Sequence, residues 1–204
     1  MTPLTRTRSA LVSVAALAVL TACSGDDGDD KGAGSGSESS SSSSASPSAP
    51  AVDPATGEKA ETDAFSFNAP EGWRDVTDQI PGYDPEVAYA ATQAQDGFTT
   101  NVNVLPEPAF ESRSMDEVVP ATAKQLENMG FKQVQELEPF TVEGEEAGVI
   151  SAEASQNAVT YRTRQYFLAN DDKGWVVTFS FPASATPDAQ AELAESVMST
   201  WSWS

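Results

Sequence analysis

The sequence predicts an α+β domain: a mainly antiparallel β-sheet with helices packed on it. Three observations lead there. Alternating apolar segments come first, a helical stretch interrupts them, further strands follow, and a second helix comes near the end. Tight-turn residues separate neighbouring strand segments. All seventeen aromatic residues lie between Phe65 and Trp203, so one core is confined to that part of the chain.

Phe65-Ser66-Phe67 alternates and runs into the turn Pro70-Glu71-Gly72-Trp73. Val87–Gln93 and Phe98–Leu105 read as strands joined through Gln95-Asp96-Gly97. Ser114-Met115-Asp116-Glu117 has capping-box spacing, and Met115, Val118, Val119, Thr122, Leu126 and Met129 recur at helical intervals up to a stop at Gly130. Pro120 conflicts with a regular helix and either kinks it or moves its start to Val119. Phe131–Leu137, Phe140–Val142 and Val149–Ser155 read as three strands, with Glu143-Gly144-Glu145-Glu146 turning between the last two. Val159–Ala169 is a long strand, turned by Asn170–Gly174 into Trp175–Phe181. Thr186-Pro187-Asp188 combines an N-cap, an N1 proline and an acid at the positive end of the helix dipole. The stripe Leu193, Ala194, Val197, Met198 and Trp201 then completes a terminal helix, with Trp203 beyond it exposed for a partner.

The chain has 204 residues and a net charge of −20, and from Asp63 onward 7 basic stand against 23 acidic residues. Such a balance argues against nucleic acid as a partner, since phosphates require a basic patch. No His is present, which removes Ser-His-Asp, Cys-His and His-ligated zinc chemistry. A single Cys excludes an internal disulfide framework. What remains is a carboxylate pair or a Ser–Lys dyad. Lys124, Lys132 and Lys173 sit in no catalytic motif, so no enzyme activity, cofactor or metal is expected. The acidic run Asp26-Asp27-Gly28-Asp29-Asp30 lacks the closing Glu of a calcium loop and reads as solvated charge.

The first residues read as an address. Arg6 and Arg8 precede the uncharged run Ala10–Leu20, too short at eleven residues to span a bilayer. It ends in Leu20-Thr21-Ala22-Cys23, which resembles the lipobox of bacterial lipoproteins. That resemblance implies a diacylglyceryl group on the Cys23 sulfur, cleavage before it, and attachment to the outer side of the cytoplasmic membrane. Residues 24–60 contain no aromatic, Leu or Ile and read as a disordered tether, since they cannot bury enough apolar surface to offset their ordering entropy. The forty residues from Ser24 to Asp63 reach about 35 Å. The expected organisation is a signal peptide over 1–22, a lipidated Cys and tether over 23–63, and a folded domain over 64–204.

Within that domain Phe65-x-Phe67-x-x-Pro70-x-Gly72-Trp73, the strand Asn101-Val102-Asn103-Val104, the mid-chain helix, the step Gly144-x-x-Ala147 and the amphipathic final helix occur in one order. The combination is similar to the PsbP/Mog1-like fold, and most of all to LpqN/LpqT-type lipoproteins of actinobacteria. The resemblance implies a three-layer α/β/α sandwich and a binding or accessory role in the cell envelope, with no catalytic motif to transfer.

Two polar rows are candidate contact surfaces. Arg162, Arg164, Tyr166 and Leu168 share one strand face. An anion or partner contact is one reading; pairing across strands with acids such as Glu153 is the weightier one. Asn101 and Asn103, with Thr99, either line a polar groove or face solvent at a strand edge. Trp73 and Trp175 read as core, with an apolar ligand pocket as the alternative. The functional expectation is therefore a non-catalytic module for an envelope protein partner. Its alternative is a carrier of lipid or small apolar ligands.

Overall fold

In the computed structural model the residues described are 52–79, 83–110, 113–170 and 173–204. The lipobox, Cys23, the signal segment, the acidic run and the tether up to residue 51 lie outside them.

Seven antiparallel strands form the main sheet: β3 (Arg74–Asp75), β4 (Val87–Ala90), β5 (Asn101–Pro106), β6 (Lys132–Val142), β7 (Glu145–Gln156), β8 (Val159–Asn170) and β9 (Lys173–Pro182). Their spatial order is β3-β4-β5-β9-β8-β7-β6. Helix α1 (Met115–Asn128) connects β5 to the far edge strand β6, and the chain then returns by hairpins until β9 lies beside β5. A small antiparallel sheet, β1 (Lys59–Glu61), β2 (Phe65–Asn68) and β10 (Ser202–Trp203), joins the start of the described chain to its end. Helix α2 spans Pro187–Met198.

The pleat of the sheet divides its side chains between two cores. On one face Ile150 and Phe167 pack with Val118 and Leu126 of α1. On the other, Val149, Tyr166, Val177 and Phe179 pack with Ala194, Val197 and Met198 of α2 and with Phe65 and Phe67 of the small sheet. Helices therefore cover both faces, and the α+β, three-layer arrangement expected from the sequence is present. Each large side chain buried in these layers contributes about 1.5–3 kcal/mol.

Local signals mostly hold. Asp96 and Gly97 lie at φ 51° and 78°, and Glu143 and Gly144 at 48° and 93°, the left-handed pairs that tight hairpin turns need. The Ser114 N–H donates to Glu117 Oε2 at 3.4 Å, and Thr186 Oγ1 accepts from the Ala189 N–H at 3.3 Å.

Several expectations are corrected. Helix α1 starts at Met115 and runs on through Pro120, which lies on its exposed side, so the proline does not mark a start at Val119. The two strands expected around Pro139 are one, β6. It is an edge strand whose irregularity between Leu137 and Phe140 absorbs the proline. Ordered structure begins before residue 63: the Ala55 N–H donates to the Ser196 carbonyl at 2.8 Å, and β1 pairs with β2. A three-residue strand with only Ala60 turned inward leaves no apolar pattern to read. Trp201 lies past the end of α2, buried rather than on the helical stripe. Trp203 is half-buried in β10 rather than fully exposed, its backbone N–H donating to Glu143 Oε2 at 3.0 Å and its ring packed on Trp175 and Trp201.

The β7–β8 turn is Asn157-Ala158, with φ 50° and 65°. An alanine in the left-handed region carries strain of about 1–2 kcal/mol. Replacing Ala158 by Gly should stabilise the domain by about 0.5–1 kcal/mol, a rise of about 1–4 °C in Tm. In contrast, a Cβ on Gly148 would fall 2.2 Å from Val119 Cγ2 at the α1–β7 contact. Gly148→Ala should cost about 1–3 kcal/mol in a denaturant melt.

Candidate functional site

Arg162 and Arg164 project from β8 towards the α2 side of the sheet. Arg162 lies directly opposite Glu153 of β7, with Nη2 to Oε2 at 3.9 Å. Its Nε donates to the Ala183 carbonyl at 3.0 Å and its Nη1 to Gln133 Oε1 at 3.4 Å. Arg164 donates through Nε to the Tyr166 hydroxyl at 2.8 Å and through Nη2 to Glu195 Oε1 at 3.0 Å. The cross-strand pairing with Glu153 is thus the one the sequence suggested. Tyr166, expected on the contact row, is fully buried against Phe140 and Phe179 and can touch no partner. Leu168 is buried as well. The alternation that places Arg162 at the rim carries the later members of the row into the core. Between β6, β8 and the start of α2 remains a slot of about 90 Å³ lined by Gln133, Gln135, Ser151, Arg162, Arg164 and Gln190.

Asn101 and Asn103 occupy neither a solvent-facing edge nor an open strand face. Strand β5 is third of seven, and both side chains are buried, at 8% and 5% exposure. They begin a buried polar band across three strands: Asn101 beside Ser180 and Thr163, Asn103 beside Thr178 and Gln165. The Tyr83 hydroxyl donates to Asn103 Oδ1 at 2.7 Å, and Gln165 Nε2 donates to Thr178 Oγ1 at 3.1 Å. Gln165 Oε1 and the Tyr161 hydroxyl have no protein hydrogen-bond partner. The alternation Asn-Val-Asn-Val suggested a wet face; the segment bearing Tyr83 covers it instead.

Trp73 and Trp175 belong to the α2-side core, as expected. Trp175 donates from Nε1 to Glu86 Oε2 at 3.2 Å and packs on Trp203 with ring centroids 5.1 Å apart. Beside it runs an open groove of about 470 Å³. Asp63, Glu86, Glu107 and Lys173 make its walls polar, and Pro106 and Trp175 supply apolar surface. The sequence offers an apolar pocket at Trp175 and a polar groove at Asn101 and Asn103 only as alternatives; the polar-walled groove and the buried band that the structure shows each join residues distant in the chain. Among the described residues no group of acids or Cys is placed to hold a metal ion.

No protein-family model matches the chain, and no curated protein does. Similar solved structures include a Bacteroides thetaiotaomicron protein at 11% identity and TM-score 0.47; the match covers 72% of this chain, which spans only 48% of that protein's length. Mycobacterium tuberculosis LpqN, described as involved in cell envelope biogenesis, matches at 13% identity and TM-score 0.47, covering 69% of this chain and 83% of LpqN. Cyanobacterial PsbP from Synechocystis matches at 18% identity and TM-score 0.49, covering 77% of this chain and 98% of PsbP. Both kinds of protein in the sequence resemblance are therefore among the similar structures.

Burial dominates the titration of the tyrosines. It pushes Tyr161 and Tyr166 up to about 12, with Arg164 partly opposing it at Tyr166, and raises Tyr83 and Tyr89 above the ordinary value of 10.0. The unfolded chain loses these protons near pH 10 while the folded chain keeps them, so the stabilisation is complete below about pH 10 and is lost as pH rises towards about 12. In a spectrophotometric titration, tyrosinate absorbance at pH 10 should be well below half-maximal in the native protein and near half-maximal in denaturant.

Proposed function

We propose that this chain is a lipoprotein anchored to the outer face of the cytoplasmic membrane through lipid on Cys23. Its folded domain serves as a non-catalytic binding or accessory module of the cell envelope, with an envelope protein as partner. The anchoring reading rests on Leu20-Thr21-Ala22-Cys23 after a short apolar run. Among the described residues no helix is long and apolar enough to cross a membrane. Anchoring by two acyl chains is stable where one is marginal.

The observation that carries the binding reading is the open groove of about 470 Å³ beside Trp175, a volume in the range of ligand sites. Its acidic and hydroxyl-bearing walls suit a polar segment of a protein better than an acyl chain. A carrier of lipid or small apolar ligands remains the second reading, supported by the same groove's Ala64, Pro106, Pro108 and Trp175 surface. Replacing Cys23 by Ser should shift the protein from the membrane to the soluble or unprocessed fraction. Unchanged membrane fractionation and processing would sink the anchoring claim.

A further inference from the structure

Among the described residues, five other than glycine have φ between 48° and 65°: Asp96, Gln133, Glu143, Asn157 and Ala158. Four of them lie in two-residue hairpin turns, where the turn itself demands that conformation. Gln133, at φ 50°, lies inside strand β6. There Lys132 pairs with Glu153 and Gln135 with Ser151, so Gln133 and Val134 together oppose the single residue Ala152. This is a β-bulge whose left-handed first position ordinarily takes glycine. A glutamine held there carries strain without any need of the turn, and strain of this kind concentrates at functional sites.

The bulge turns Gln133 towards the slot. Its Oε1 accepts from Arg162 Nη1 at 3.4 Å and its Nε2 donates to Glu153 Oε2 at 3.4 Å. Ser151, Gln135 and Gln190 complete the polar lining. Two of the domain's 7 basic residues converge here. Glu153 and Glu195 partly neutralise them, yet the guanidinium groups retain unspent donors: among the described residues Arg164 Nη1 meets no hydrogen-bond acceptor, and the Arg162–Glu153 contact at 3.9 Å is longer than a charge-assisted bond. The volume of about 90 Å³ admits one small planar group.

We propose that this slot binds one carboxylate group, the side chain of an Asp or Glu or the chain terminus of an envelope partner. Arg164 Nη1 and the loosely held Nη2 of Arg162 donate to its two oxygens, with Ser151 and Gln135 donating at the rim. Planar guanidinium donors match a carboxylate in geometry as well as charge. The proposal rests on the reading of the domain as a binding module and names the chemistry one of its surfaces would recognise.

The test is an NMR titration of the full ¹⁵N-labelled chain in detergent with sodium acetate, with inorganic phosphate and chloride as separate arms at matched ionic strength. Acetate should shift the Arg162 and Arg164 Nε–H signals and the Gln133 and Gln135 side-chain amides saturably, with a dissociation constant of roughly millimolar order. Arg162→Gln should weaken binding by about tenfold, the loss of one charge-assisted hydrogen bond. Gln133→Gly is the sharper variant: it relieves the strain, so Tm is held or raised, while acetate binding weakens. A saturable response to phosphate but not acetate overturns the assignment. So does a response indistinguishable from chloride, or unchanged acetate binding in both variants. None of those failures touches the broader module reading, which falls separately if the intact lipoprotein captures lipid and no protein.

Discussion

Trp201 holds the start of the folded chain to its end. Its ring stacks on Phe65 at 4.3 Å and 18°, and lies nearly parallel to Phe67 at 5.7 Å and 5°. The strands it joins, β1, β2 and β10, have only three, four and two residues, too few to stand alone. Yet they, with α2, close over Val102, Val177 and Phe179 of the main sheet. The Trp201 Nε1–H has no protein acceptor, a loss of about 1–3 kcal/mol that the area buried by three stacked rings outweighs. Glu143 secures the same corner, accepting from Ser202 Oγ and the Trp203 N–H at 3.0 Å each. The β6–β7 turn, the last strand and the first strands therefore act as one clasp, and the slot and the groove are positioned on elements that this clasp keeps in place.

That constraint explains what was legible in the sequence. Turns and helix starts are local, so Asp96-Gly97, the Ser114 box and Thr186-Pro187 could be read from neighbouring residues alone. The assignment of α+β followed from their order. Placement in the third dimension was not local. Asn101 and Asn103 alternate with valines as if one face were wet, and only the strand order puts both faces inside. Tyr166 follows Arg164 in the same row but descends into the core. β1 is too short and polar to announce itself.

The candidate sites divide in the same way. Arg162 and Arg164 could be singled out as scarce cations on one face, and the partner Glu153 could be named from strand pairing. Their enclosure into a slot depends on Gln133, whose left-handed conformation no propensity predicts. The groove beside Trp175 assembles residue 63, the end of β5 and the β8–β9 hairpin, segments more than a hundred positions apart at the extremes. What a linear reading supplied was the chemistry available; which groups meet was decided by the sheet and its clasp.

The domain is proposed to be a protein-binding module of the envelope. In-cell cross-linking of the intact chain, with proteins and lipids in the adduct identified together, tests that role. The expected result is a reproducible protein adduct that disappears when the folded domain is deleted. A co-purifying lipid with no protein adduct would overturn that role in favour of a lipid carrier.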